Sequence, residues 1–173
     1  MKQLSKKMLA VFVAATLIGS CMHFLYSIFP NPVTALFSPV NESLWEHLKI
    51  LFWPYLVSAL YLTKGGEKGC RTPWFYSLLI ISALMLVLGY VYHIALCGDR
   101  LAIDVGIYVL CMALGFVLPG VFHRVADRPM ARDIAVLAVL VLAAAILIFT
   151  FLPPDHVLFV DLSGVNTFAH LPC

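Results

Sequence analysis

Residues 134–152 read IAVLAVLVLAAAILIFTFL, and none of these side chains is charged. A helix needs about 20 such residues to cross a hydrocarbon layer about 30 Å thick, so this stretch predicts a transmembrane helix. Comparable apolar stretches predict further spans at 8–29, 44–62, 73–96 and 101–122. We therefore expect an all-α polytopic membrane bundle of about five helices in residues 1–152, followed by an extracytoplasmic tail at 153–173.

The composition of the whole chain is typical of a membrane protein. Of its 173 residues, 62% are hydrophobic, and the mean hydropathy is +0.98. A soluble domain of this size is nearer half apolar. Lipid contact accounts for the excess better than one oversized soluble core, so the lipid bilayer is the first expected partner.

The basic residues are concentrated on one side of the predicted membrane. Of the 11 lysines and arginines, three precede the first span, three lie between the second and third spans, and three lie between the fourth and fifth. The positive-inside rule then predicts a cytoplasmic N-terminus and an external C-terminal tail. Because orientation accounts for these charges, they give no indication of a nucleic-acid partner.

Most histidines and carboxylates fall on the opposite, outer side. His23 lies in the outer half of the first span and His93 near the outer end of the third. Asp104 lies in the first outer turn of the fourth span, with Tyr108 one turn deeper on the same face. Ionisable groups at such depths are costly unless they face the bundle interior, pair or contact water. We therefore expect them to converge.

The start of the second predicted span adds a second polar group. Asn41 is predicted to cap this helix, and the spacing i, i+3, i+4, i+7 indicates one helix face. The members of that face are Glu42, Trp45, Glu46 and Lys49. Glu46 and Lys49 are spaced to pair, whereas His47 points about 100° around the helix from Glu46.

These residues predict a site at the outer face. His23 and His93 with a carboxylate suit zinc or another divalent metal, and a further carboxylate would serve as general base in a membrane-embedded hydrolase. The predicted catalytic residues are Glu46, His47 and Asp104. The residues predicted to bind a small polar or lipid ligand are Glu42, Trp45, Lys49, Tyr108 and Asp161.

Two other functions remain open at this stage. Intramembrane histidines and carboxylates also line transport paths, so a small transporter or channel subunit is one alternative. The other is a structural membrane partner, in which the same groups only satisfy helix ends and backbone atoms. The sequence also leaves a homo-oligomer open.

The tail is too apolar to be a free segment. Its residues 158–164 predict a short extended piece that ends in a turn, and we expect the tail to fold over the outer mouth of the bundle. Cys97 and Cys173 both lie on the outer side. Two free thiols are the favoured interpretation, and a disulfide is the alternative if the compartment is oxidising.

The run Asn41-Glu42-Ser43-Leu44-Trp45-Glu46-His47-Leu48-Lys49, with Asn31 to Val33 before it and Phe52 and Pro54 after it, resembles an uncharacterised family of small bacterial multipass membrane proteins. That family has an Asn-Glu-Ser-x-Trp-Glu-His-x-Lys signature. The resemblance extends to Pro153-Pro154, Leu158-Phe159 and Asp161, whereas the family's Tyr-Gly ending is replaced around Thr167–Phe168. It implies a protein of the bacterial cytoplasmic membrane and implies no activity.

Overall fold

The structure is a computed structural model that describes residues 6–122 and 128–163, and within these ranges it is helical with no strand. The prediction of an all-α bundle is therefore confirmed. The elements, in chain order, are α1 (Lys6–His23), α2 (Leu25–Ile28), α3 (Pro32–Phe37), α4 (Leu48–Leu62), α5 (Thr72–Gly89), α6 (Leu101–Val117) and α7 (Pro129–Phe151). A π-helical segment, Tyr90–Ala95, continues α5, and 3-10 turns occupy Leu118–Gly120 and Val157–Phe159.

Four of the described helices are long and apolar enough to cross a membrane. These are Lys6–His23, Thr72–Ala95, Leu101–Gly120 and Pro129–Phe151. The predicted second span corresponds to α4, which is apolar but only 15 residues long. It is short because residues 44–47 form turns before it.

The first predicted span is divided near its outer end. Helix α1 ends at His23, and the short α2 follows Phe24. Ser38 holds this break, because its hydroxyl donates to the Met22 carbonyl at 2.6 Å and accepts from the Tyr26 amide at 3.0 Å. Backbone groups freed by a break inside a membrane protein need such partners.

Helix α3 turns the chain back toward the bundle. Asn31 caps it by accepting from the amides of Val33 and Thr34, and Pro32 occupies its first position. Both features favour a helix start at this point. The next segment, residues 38–47, leads into α4.

The core lies between α1, α4, α5 and α6, and its inner half is aromatic. Tyr55 packs against Trp74 and Phe116, and Phe12 packs edge-on against Phe116. The Tyr55 hydroxyl donates to the Gly115 carbonyl at 2.6 Å, so this buried hydroxyl has a hydrogen-bond partner. This packing ties α4 to α6 beneath the outer polar groups.

Three sequence-based expectations are corrected by the structure. Asn41 does not cap the second span, because α4 begins at Leu48 and the Asn41 side chain instead accepts from the Ser43 amide in a local turn. The tail around Leu158 is a 3-10 turn and not an extended piece, since the amides of Phe159 and Val160 donate to the carbonyls three residues before them. Cys97 is disulfide-bonded and not a free thiol.

Some expectations fall outside the described residues. These are Cys173 as a disulfide partner, the departure around Thr167–Phe168, and the last part of the tail.

Candidate metal centre

Three side chains from two separate segments meet at one end of the bundle. His23 Nε2 lies 3.1 Å from His47 Nε2. Glu42 Oε2 lies 3.4 Å from the first of these atoms and 3.3 Å from the second. The three atoms form a nearly equilateral triangle, and we call this set the triad. All three residues are partly buried.

The hydrogen-bond roles of the triad require a hydrogen or a metal ion between its acceptor atoms. His47 Nδ1 lies 2.8 Å from the Ser43 carbonyl, which can only accept, so Nδ1 carries the hydrogen. In a neutral ring the Nε2 atom of His47 then offers a lone pair, and the Glu42 carboxylate offers another. Two acceptors at 3.3 Å repel each other unless a proton or a metal ion lies between them.

The spacing of the triad fits a tetrahedral ion. Zinc bonds to histidine nitrogen and carboxylate oxygen are about 2.0–2.1 Å long, so two ligands of one tetrahedral ion are about 3.3 Å apart. The three observed separations are 3.1, 3.3 and 3.4 Å. Two histidines and one glutamate are also a donor set that zinc takes in catalytic sites, where the fourth position stays open.

A buried ion pair fixes the segment that carries two triad residues. Glu46 and Lys49 form this pair, as their spacing predicted, and both side chains are almost completely buried. The Lys49 ammonium also donates to the Ala35 and Ser38 carbonyls, at 2.7 and 3.3 Å. Glu46 Oε2 accepts from the Val40 amide at 2.8 Å. The pair thus joins α3, the loop at residues 38–47 and α4. Glu42 and His47 both lie on this loop.

The described part of the tail holds the same loop from outside. Asp161 Oδ1 accepts from the Glu42 amide at 3.3 Å, and the Leu158 carbonyl accepts from the Trp45 amide at 3.0 Å. The Trp45 and Phe159 rings lie 5.1 Å apart. Burial raises the pKa of Asp161, but hydrogen bonds from Ser163 and from the Glu42 amide outweigh it and lower the pKa overall.

Glu42 is held as a carboxylate. Hydrogen bonds from His23 and His47 are the main causes that lower its pKa well below the ordinary value of 4.5, against a smaller opposing effect of burial. A metal ligand must be deprotonated to bind. The environment of Glu42 therefore keeps the ligand form of this side chain.

A second polar pair lies beside the triad. His93 Nε2 is 2.8 Å from Asp104 Oδ1, and His93 Nδ1 is 2.9 Å from the Gly98 carbonyl. Both ring nitrogens thus face oxygen atoms that fix the orientation of the ring. The π-helical segment that continues α5 brings His93 to this position. Such segments occur often at functional sites.

The triad and the second pair line one cleft. Its volume is about 460 Å³, and its walls come from α1, the 42–47 loop, α5, α6 and the tail. Asp104 and Tyr108 face it from α6, and Ser20 faces it from α1. A cleft of this size fits the range of small-molecule sites, about 300–1,000 Å³.

Comparison with known proteins places the sequence in a family. Residues 1–166 match the family of unknown function DUF6512. The chain belongs to the DUF6512 family. No curated protein and no solved structure matches it. The match includes the triad, the second pair and the ion pair, but the family description assigns no activity to any of them.

In this DUF6512 member, the predicted site residues fall into three groups. His23 lies with His47 and Glu42. The sequence had predicted His93 as the second metal ligand beside His23. His93 instead pairs with Asp104 across the same cleft. Glu46 and Lys49 form their buried pair away from the cleft lining.

The remaining predicted ligand-binding residues have mixed positions. Tyr108 lines the cleft and donates to the Thr16 carbonyl at 2.9 Å. Trp45 and Asp161 support the loop and do not line the cleft. The sequence did not predict that Glu42 lies with His23 and His47, because it placed Glu42 on a helix face with Glu46. The signal that could have found it is the short Glu42-to-His47 spacing within a turn-forming segment.

Proposed function

We propose that the protein binds a divalent metal ion, with zinc the best fit, through His23, Glu42 and His47, and acts as a membrane-embedded hydrolase. The observation that carries the proposal is the triangle of ligand atoms with edges of 3.1–3.4 Å. Four helices of membrane-crossing length support a membrane location. The basic loops favour an orientation with the cleft at the outer face of a bacterial cytoplasmic membrane.

The bound ion would lower the pKa of a water molecule at its open position to about 7. Asp104 is the proposed general base, because it lines the cleft and is oriented by His93. Asp104 would accept one proton from the attacking water and pass the same proton to the leaving group. The net reaction would add one water across one bond of the substrate.

A transport function has less support from the described core. A proton or ion path would continue from the triad through the inner half of the bundle. That half is filled by the contacts among Phe12, Tyr55, Trp74 and Phe116. The Tyr55 hydroxyl is already hydrogen-bonded to the Gly115 backbone, so it adds no free polar group to such a path.

Metal content tests the site. The purified protein is stripped with a chelator, reloaded with zinc and analysed by mass spectrometry for bound metal. We expect one zinc per chain in the wild type and its loss in His23→Ala and His47→Ala. His156→Ala is the matched control, since His156 is exposed and lies outside the triad, and it should retain zinc. A wild type that binds no zinc after reloading contradicts the proposal.

Cobalt substitution tests for an open, catalytic position without knowledge of the substrate. Cobalt(II) in a four-coordinate site absorbs visible light strongly, and a new ligand changes that spectrum. We expect the cobalt spectrum to shift when acetohydroxamate is added. Asp104→Asn should keep the cobalt spectrum but change the pH at which the bound water titrates. A spectrum that acetohydroxamate leaves unchanged indicates a closed structural site and contradicts the hydrolase function.

A further inference from the structure

The mouth of the cleft is apolar and continuous with the outer surface of two membrane-length helices. Phe24, next to the end of α1, is 60% exposed, and Leu101 and Val105 on α6 are 75% and 51% exposed. All three also line the cleft. In a bundle that crosses a membrane, exposed apolar side chains on such helices face lipid. The cleft therefore opens sideways toward the hydrocarbon, between α1 and α6.

The interior of the cleft is divided into a polar end and an apolar end. The triad and the Asp104 pair lie at the outer end. Ile50, Met85 and Ile107 line the apolar part of the wall. Below this mouth, Tyr108 closes the gap between α6 and α1, because its hydroxyl donates to the Thr16 carbonyl one turn below Ser20. A ligand that fills this space has a polar part and an apolar part.

We propose that the substrate is a membrane lipid, which enters sideways between α1 and α6. Its acyl chain lies along the apolar wall, and its linkage to the headgroup lies at the triad. A water-soluble polar ligand would gain nothing from an apolar mouth, whereas a lipid already in the bilayer can pass through it without exposing its acyl chain to water. The assignment of a substrate rests on the proposed hydrolase, but lipid occupancy is measurable without turnover.

Photo-crosslinking tests the proposal. The protein is reconstituted in phosphatidylcholine bilayers that contain a trace of phosphatidylethanolamine with a diazirine in its acyl chain. The labelled peptides are then identified by mass spectrometry. We expect the label to concentrate on the peptides that carry Phe24 and 101–108. Val105→Trp and Leu101→Trp should each reduce this label about tenfold, equivalent to 1.4 kcal/mol of binding free energy.

Leu110→Trp is the matched control. Leu110 lies on the same helix and is 50% exposed, but it does not line the cleft, so its label should equal that of the wild type. Label spread evenly over the lipid-facing helices, unchanged by Val105→Trp, overturns the proposal.

Zinc content is measured in the same samples, with and without chelator, so that the two proposals can fail separately. Bound zinc with evenly spread label overturns the lipid substrate and leaves the metal site intact. Cleft-specific label without zinc in any sample supports lipid binding and overturns the hydrolase.

Discussion

The Nε2 atoms of His23 and His47 lie 3.1 Å apart, although 24 positions separate the residues in the sequence. His23 is the last residue of α1, and His47 immediately precedes α4. Two helix ends therefore bring two imidazole nitrogens and the Glu42 carboxylate to one point. A hydrogen or a metal ion must lie between these atoms, and their triangular spacing is the basis of the metal proposal.

The first prediction concerns the pH dependence of zinc affinity. Histidines generally take up protons between about pH 5 and 8, so affinity should fall about 100-fold per pH unit once both histidine ligands compete with protons. Because the pKa of Glu42 is lowered, its carboxylate stays ionised as the pH falls through 4.5. A plot of the logarithm of affinity against pH, measured with a competing chelator, should therefore keep a slope of about two there. A slope that rises from two toward three as the pH falls through 4.5 would show ordinary titration of Glu42.

The lowered pKa of Glu42 also affects the stability of the metal-free protein. A lowered carboxylate pKa gives a stabilising contribution that is fully present above the unfolded value of about 4.3. This contribution is lost only as the pH falls through the folded value. Glu42→Gln should remove it, so the stability difference between wild type and variant should shrink only below about pH 4.3, as measured by unfolding in detergent.

The second prediction concerns the tail. Asp161→Ala removes the acceptor for the Glu42 amide and should reduce zinc affinity about 10- to 100-fold, the usual effect of losing a group that orients a metal ligand. Isothermal titration or chelator competition measures this change. Asp155→Ala is the control, because Asp155 is an exposed carboxylate of the same tail. Equal affinity in the two variants would show that the tail does not position the triad.

The third prediction concerns the contact between α1 and its neighbours. A side chain at Gly19 would overlap the Tyr108 hydroxyl and the Ile50 carbonyl, whereas one at Gly106 would meet nothing. Gly19→Ala should therefore destabilise the protein by about 1–3 kcal/mol and weaken zinc binding, because α1 carries His23. Gly106→Ala should stabilise its helix by up to about 1 kcal/mol. Thermal unfolding in detergent compares them, and similar shifts in both variants would contradict the tight α1 contact.

The fourth prediction concerns the buried ion pair. Lys49→Met leaves Glu46 charged and buried, which should cost about 3–5 kcal/mol in the free energy of unfolding. The double variant Glu46→Gln with Lys49→Met should cost less than the sum of the two single changes, since no uncompensated charge remains. Lys64→Met is the control. Lys64 is exposed, and its replacement should change stability by no more than about 0.5 kcal/mol. Additive effects would mean that the pair is not coupled.

Sequence patterns predicted the local features well. The uncharged stretch at 134–152 lies within α7, and the i, i+3 spacing of Glu46 and Lys49 gives the observed pair. Both follow from interactions between near neighbours in the chain. The helix start was misplaced at Asn41, because its side chain forms a local turn with the Ser43 amide, and asparagine favours such turns as readily as helix caps.

The sequence by itself determined that this protein is an apolar helical bundle with its histidines and carboxylates gathered toward one end. Hydrophobic length and charge distribution along the chain are sufficient for that. The tertiary structure decided which of these groups meet. His23 joins His47 and Glu42, while His93 joins Asp104, because the buried ion pair and the tail hold residues 42–47 as a loop beside the end of α1. Contacts between segments far apart in the chain set that geometry, and no local pattern encodes it.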